Sequence, residues 1–299
     1  MKVGMIGLGK MGFNLALQLN ERNFDVEAFD LNAEAVEKIS ARGISAHSSI
    51  TQLTKAFPDR KILWLMVPAG EATESVFQQL LAACNEGDII IDGGNAHYQD
   101  SIRRDALAAE KGVFFFDCGT SGGTEGALNG ACLMIGGNKE VFSSIESIFK
   151  EISVENGYLH TGPAGSGHYL KMIHNGIEYG MMQAIAEGFE VLDKSPFPYD
   201  FKEVAKVFNH GSVIRSWLME LTESAFEKDE KLSSIKGVMH SSGEGKWTVE
   251  EALNLQTATP IIALSLMMRY RSIETDTFSG KVVAALRNEF GGHAVEKNE

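Results

Sequence analysis

Short apolar runs recur along the first half of the chain, at Val3–Ile6, Val26–Phe29, Ile62–Val67, Ile89–Ile91, Val113–Phe116 and Cys132–Ile135. Rich in β-branched, aromatic and long aliphatic residues, they read as strands. Amphipathic helical patterns fill most of the gaps between them. That alternation builds βαβ units and predicts an α/β fold with a mostly parallel, doubly wound sheet. From Asn156 to Gly167 the residues turn to Asn, Gly, Pro, Ser and Thr, and strand-like runs then largely cease. Residues 1–164 are therefore expected to form the sheet domain and residues 165–299 an all-helical one. Within the latter, one long helix should reach from His168 to about Asp193. Further helices are expected at Asp200–Asn209, Ser212–Phe226, Thr248–Leu255, Pro260–Ile273 and Thr275–Glu289.

The long helix has a polar stripe. At about 3.6 residues per turn, Lys171, His174, Asn175, Glu178 and Met182 fall on one face. Leu170, Met172, Ile173, Ile177, Met181 and Ile185 supply most of the apolar one. The α-carbons of Lys171 and Glu178, two turns apart, are on the order of 10 Å from each other. Two long side chains can close that gap around a molecule of sugar-acid size. The plain alternative is a solvated face with spaced charges. Asn175 and Gly176 weigh against it, because both are poor helix-interior residues that a surface helix has no reason to accept.

Charge and cysteine content narrow the function classes. A formal net charge of −13 argues against a general nucleic-acid surface, so an anionic substrate must be held by a local cluster of Lys and Arg. The longest apolar run, Pro260–Met268, is too short to cross a bilayer, and the amino terminus enters a strand at once without a signal-peptide layout. A cytoplasmic location without membrane attachment is expected. Cys84, Cys118 and Cys132 lack metal-ligand spacing; buried reduced thiols and no metal are expected.

Three loops at strand ends have the residue types that ligands need. Gly7-Leu8-Gly9-Lys10-Met11-Gly12 follows the first strand and precedes the helical stretch Asn14–Asn20, the context in which G-x-G-x-x-G turns a helix amino end toward a pyrophosphate. Asp30, at the end of the next strand, can accept hydrogen bonds from ribose hydroxyls and repel a 2′-phosphate, which favours NAD over NADP. The alternative for Asp30 is a turn or helix N-cap role. Asp92-Gly-Gly-Asn-Ala-His-Tyr98 follows the fourth run, at the carboxyl edge where open sheets hold ligands. Ser121-Gly122-Gly123 offers a hydroxyl and unobstructed amides suited to a carboxylate or phosphate. Either of the last two could instead be a tight turn.

The strings GLGKMGFNL, DGGNAHYQDSIRR, TSGGTEGA and GHYLKMIHNGIEYG together resemble the 6-phosphogluconate dehydrogenases, in particular their short, single-repeat, NAD-preferring branch. The likeness continues through Gly245-Lys-Trp-Thr248, the Arg269 region and Arg287-Asn-Glu-Phe-Gly-Gly-His293, and spans essentially the whole chain. It implies metal-free oxidative decarboxylation of 6-phospho-D-gluconate to ribulose 5-phosphate and carbon dioxide, with Lys171 as base and Glu178 as the acid that protonates the enediol. Asn95, Ser121, Gly122, Gly123, His174 and Asn175 match positions that hold the carboxylate and hydroxyls. Tyr179, Lys246, Arg269, Arg287 and His293 match those around the phosphate. Gly7, Leu8, Gly9, Lys10, Met11, Gly12, Asp30, Val67 and Asn95 are the expected NAD-facing residues. The resemblance also implies a homodimer or homotetramer in which the chain end reaches a neighbouring subunit. Thr124, Ile135 and Met181 depart from residues usual in longer members; none is a proposed acid, base or phosphate ligand.

Two other readings compete. A β-hydroxyacid dehydrogenase of the hydroxyisobutyrate type would share the fold, the Ser-Gly-Gly segment and the lysine, but would not need the His-Asn…Glu stripe with a phosphate cluster. A non-catalytic NAD-sensing protein would not need both Lys171 and Glu178.

Overall fold

The computed structural model describes residues 1–296. Its first part alternates strands and helices: β1 Lys2–Ile6, α1 Lys10–Glu21, β2 Asp25–Phe29, α2 Ala33–Ser40, β3 Ser45–His47, α3 Ile50–Lys55, β4 Ile62–Leu65, α4 Glu71–Ala83, β5 Ile89–Asp92, α5 Tyr98–Ala109, β6 Phe114–Ser121, α6 Gly123–Asn129, β7 Ala131–Gly137, α7 Lys139–Ile152 and β8 Ser153–Gly162. Helices follow: α8 Ser166–Asp193, α9 Phe201–Asn209, α10 Trp217–Lys228, α11 Gly243–Asn254, α12 Pro260–Ile273 and α13 Phe278–Gly291. The expected α/β sheet followed by helices is the observed architecture. Two compact units result, residues 1–174 and 175–299, the division falling within α8. We propose residues 1–164 and 165–299 as the functional domains, since the last strand ends at Gly162; residues 297–299 of the latter lie outside the described residues.

The eight strands form one sheet in the order β3-β2-β1-β4-β5-β6-β7-β8. All neighbours are parallel except β6 and β7. Chain order reverses between β1 and β4, opening a crevice at their carboxyl ends. Successive side chains of a strand point to opposite faces. Ile89 and Ile91 therefore enter one core and Ile90 the other, as Ile62 and Trp64 separate from Leu63 and Leu65. Because both faces are buried, these strands read as continuous apolar runs. In the second unit, Phe189 of α8 packs with Phe201 and Ala205 of α9 and Met219 and Phe226 of α10.

Several elements differ from their expected extent. The β8 strand occupies part of the polar segment read as interdomain punctuation. As an edge strand pairing with β7, it stays largely accessible and tolerates polar residues. The three-residue β3 is likewise an edge strand. The β6 strand runs on to Ser121, pairing Asp117 to Ser121 with β7. Residues 212–216 are not helical: α10 begins at Trp217, where the Ser216 side chain accepts the Met219 amide at 3.1 Å. The α11 helix begins at Gly243, ahead of the expected Thr248. Of the cysteines, Cys118 is buried, but Cys132 is exposed on β7, correcting the expectation of a buried thiol; all three are free. Among the described residues no helix is long and apolar enough to cross a membrane.

A buried ion network ties β5 to α4 and α5. Arg104, 1% exposed, donates to Asp92 at 3.0 Å and Glu74 at 3.2 Å, and Arg103 also meets Glu74 at 2.7 Å. Burial pushes the Asp92 carboxyl upward despite His168 and Arg104 nearby. The Arg103 guanidinium does the opposite to Glu74, holding its carboxyl at about 2 against an ordinary 4.5. A depressed carboxyl stabilises the fold above its unfolded value and loses that contribution as pH falls through its folded one. Glu74→Gln should therefore lower the urea midpoint at pH 7, and the difference from wild type should shrink as pH falls from about 4.5 toward about 2.

Candidate active site

The glycine loop is shaped by what its glycines lack. Gly7 has φ +97°, and a methyl group there would strike the Met66 carbonyl. One at Gly12, in the first turn of α1, would strike the Gly7 carbonyl. Helix α1 can thus close onto the loop only without those side chains. Gly9, the N-cap, has open space where a Cβ would stand. No side chain caps α1 and its first turn holds no acid, so its amides and positive dipole end remain available for an anion. Asp30 accepts the Leu8 amide at 2.5 Å and the Asn32 amide at 2.7 Å. Asn32, not Asp30, caps α2, so Asp30 pins the loop across the crevice mouth. This open cradle fits a dinucleotide pyrophosphate with an acidic group beyond it. Leu8 is buried, so only its backbone can face a ligand; Lys10 and Asn95 are exposed and Met11 and Val67 half-buried.

The end of β6 faces the amino half of α8. Lys171 is 7% exposed, and its Nζ lies 3.4 Å from His174 Nδ1. His174 Nε2 lies 3.0 Å from Ser121 Oγ. An imidazole thus bridges an amine and a hydroxyl, a relay able to pass or share a proton. Gly122 has φ +116° and Gly123 φ +57°, forming the turn into α6 directly after that hydroxyl. Gly119 makes the approach of α8 possible: a methyl group there would collide with Lys171 Cβ. Its signal in the sequence is a glycine two residues before Ser121, inside a strand where glycine is otherwise unfavourable.

In the second unit, Asn175 and Tyr179 are buried and Glu178 is half-buried on α8. The Arg269 guanidinium stacks over the Tyr179 ring at 3.5 Å and donates to the His240 carbonyl at 3.0 Å. Tyr179 Oη lies 3.2 Å from Ser242 Oγ. Gly245 leaves room for the Tyr179 ring, and Gly176 for the Thr248 side chain. Lys246 is exposed, 3.4 Å from Glu250. Arg287 and His293 are exposed at the end of α13, where left-handed Gly292 folds the chain back and the His293 amide reaches the Arg287 carbonyl at 3.4 Å. The structure thus brings together Lys171, His174 and Ser121 in one unit and Tyr179 and Arg269 in the other. Ser242 and Gly119 were not singled out from the sequence: a lone hydroxyl has no distinctive spacing, and the one mark of Gly119 is a glycine inside a strand.

Residues 2–162 match the family described as the NAD binding domain of 6-phosphogluconate dehydrogenase, and residues 167–298 its C-terminal domain. The chain belongs to the 6-phosphogluconate dehydrogenase family. A Bacillus subtilis protein, YqeC, provisionally assigned as a 6-phosphogluconate dehydrogenase, is 58% identical over 99% of this chain and 100% of its own. A Haloferax volcanii 6-phosphogluconate dehydrogenase, named NAD(+)-dependent and decarboxylating, is 40% identical over 100% of both chains. The solved 6-phosphogluconate dehydrogenase of Plasmodium falciparum superposes with a TM-score of 0.84 at 30% identity, covering 100% of this chain and 67% of that one. Membership makes the chain an enzyme of this dehydrogenase family that uses a nicotinamide dinucleotide.

Gly119→Ala should force α8 away from β6. Urea denaturation should show a loss of about 1–3 kcal/mol, the usual cost of overpacking. Dehydrogenase activity should fall by more than the folded fraction does.

Proposed function

We propose that this enzyme oxidises and decarboxylates 6-phospho-D-gluconate to D-ribulose 5-phosphate and carbon dioxide, with NAD as coenzyme. The observation that supports it most is the Lys171–His174–Ser121 relay, with the base 7% exposed. Bound NAD would accept the hydride from carbon three. Lys171, buried on α8, takes the proton from the hydroxyl on that carbon. The protonated lysine then polarises the new carbonyl while the carboxylate leaves as carbon dioxide. Glu178, two turns along α8, protonates carbon one of the enediol. Asn95, Ser121, Gly122, Gly123, His174 and Asn175 hold the sugar acid. The phosphate falls to Tyr179, Lys246, Arg269, Arg287 and His293, among which Arg269 is already held by the Tyr179 ring. Gly7, Leu8, Gly9, Lys10, Met11, Gly12, Asp30, Val67 and Asn95 face the coenzyme.

Two finer assignments belong to the same reading. The Asp30 carboxylate retains lone pairs for a ribose hydroxyl and opposes a 2′-phosphate; the 40% identical archaeal relative named NAD(+)-dependent supports that choice. The active species is a homodimer or homotetramer. Its support is the apolar side chains exposed on α12, Ile261, Leu264, Met267 and Met268, and on α13, Phe278, Val282, Val283 and Leu286. We place the enzyme in the cytoplasm, in keeping with three free cysteines.

The deciding assay follows NADH and carbon dioxide with 6-phosphogluconate against NAD and NADP in parallel. Its kcat/KM should favour NAD by at least about tenfold, or roughly 1.4 kcal/mol. Equal use of NADP would end the assignment of Asp30, and turnover of hydroxyisobutyrate alone would replace the substrate.

Acid and base separate by step. Lys171→Met should lose at least about a hundredfold in kcat while NAD binding stays near wild type. Glu178→Gln should slow solvent-hydrogen incorporation at carbon one of ribulose 5-phosphate. A fully active Lys171→Met enzyme would overturn the mechanism.

A further inference from the structure

Helix α8 starts without a capping side chain of its own. The residue before it, Gly165, has φ +93°, and its carbonyl accepts the first helical hydrogen bond from the Tyr169 amide at 2.9 Å. A side chain at Gly165 would run into Ile102 and the Tyr98 carbonyl, so a local Ser, Thr or Asp cannot be accommodated. Two amides at the start of the helix are satisfied from elsewhere. Asp117 of β6, fully buried, accepts the Gly165 amide on one carboxylate oxygen and the His168 amide on the other, both at 2.6 Å. These are charge-assisted bonds at the positive end of the longest helix.

Asp117 is also unlike the buried acid beside it. Asp92, its register partner on β5, is neutralised by Arg104 at 3.0 Å. The partners of Asp117 are helix amides. The glycines around it allow close docking: a methyl group on Gly167 would strike the Met134 and Asp117 carbonyls, and one on Gly136 would strike the Asp117 carboxylate. The side chain of His168 is held separately, Nδ1 lying 2.8 Å from Ser101 Oγ. The carboxylate therefore fixes both the height and the rotation of α8 on β6, since two amides three residues apart must meet its two oxygens together.

Two and four residues further along the same face of β6 stand Gly119 and Ser121, and three and six residues after His168 stand Lys171 and His174. Gly119 meets Lys171, and Ser121 meets His174. We infer that Asp117 is a positioning residue for the reaction: by capping α8 from the strand, it sets the register in which Lys171 and His174 face Gly119 and Ser121. Fully buried against the helix amides, it acts through the helix it holds. The inference rests on the proposed role of Lys171, but the capping itself does not.

Asp117→Asn keeps one acceptor oxygen and the side-chain shape; Asp117→Ala removes both acceptors. With 6-phosphogluconate and NAD, kcat should fall about tenfold in the Asn variant and about a hundredfold in the Ala variant, the scale of a displaced catalytic group, while KM for NAD stays within about twofold. Amide hydrogen exchange of the coenzyme-free protein should quicken at least about tenfold over residues 165–171 in the Ala variant, and less in the Asn variant, with the β1–α1 segment unchanged. An Ala variant with wild-type kcat, losses of kcat and of NAD binding in parallel, or unchanged exchange at residues 165–171 would each overturn the inference. If the Ala variant does not fold, the Asn variant decides by the same measurements. A wild-type protein inactive on 6-phosphogluconate would refute the proposed function instead, and the exchange measurement would still decide whether Asp117 holds the helix.

Discussion

The docking of α8 onto β6 is the constraint on which the rest of the first unit's chemistry depends. A strand repeats its face every two residues and a helix its stripe every three to four. Here residues 117, 119 and 121 meet residues 168, 171 and 174 in turn. Each pairing uses a different physical device. The first is a carboxylate on helix amides, the second the absence of a side chain, and the third a hydroxyl near an imidazole. Only the third pair is chemically conspicuous, yet it holds its place because the other two set the distance and the angle.

That docking inverts the usual logic of an amphipathic helix. Lys171 and Asn175 are buried, whereas Leu170, Ile177 and Met181 are 39%, 52% and 42% exposed. A helix that buries polar groups and shows apolar ones gains little from the hydrophobic effect along that stripe. In the first unit its stability draws on buried Met172, the Asp117 cap and close glycine packing, and in the second on the aromatic cluster around Phe189.

The sequence made the sheet legible because strands buried on both faces must be continuously apolar, and β1, β2, β4, β5, β6 and β7 all left that mark. It hid β3 and β8 because edge strands keep one side in solvent and need no such runs. The polar stripe of α8 was visible from its period, but which side of the helix is buried was not. Leu170, Ile177 and Met181 read as the inward face only if the hydrophobic effect decides. The carboxylate of Asp117 left a faint trace, an acid within the run Phe114-Phe115-Phe116-Asp117-Cys118. Composition alone could not say whether such an acid meets a cation, a ligand or a helix end. Gly119 and Gly167 left less, since a glycine that admits a neighbouring helix looks like any other until the neighbour is known.

Asp30 shows how structural and chemical demands converge on one residue. Its carboxylate already holds the Leu8 amide within the glycine loop and the Asn32 amide in its own turn. The turn role considered for it from the sequence and the proposed coenzyme role are therefore not rivals. An ionised carboxylate has about four acceptor positions, and two backbone amides leave room for a hydroxyl. The negative charge proposed to oppose a 2′-phosphate is also the charge that strengthens the bond to the Leu8 amide. Replacing Asp30 with a neutral or basic residue to admit the phosphorylated coenzyme would thus loosen the loop that must cradle the pyrophosphate. On the proposed assignment, coenzyme choice is coupled to loop geometry at this position, and a change of preference would require another acceptor for the Leu8 amide.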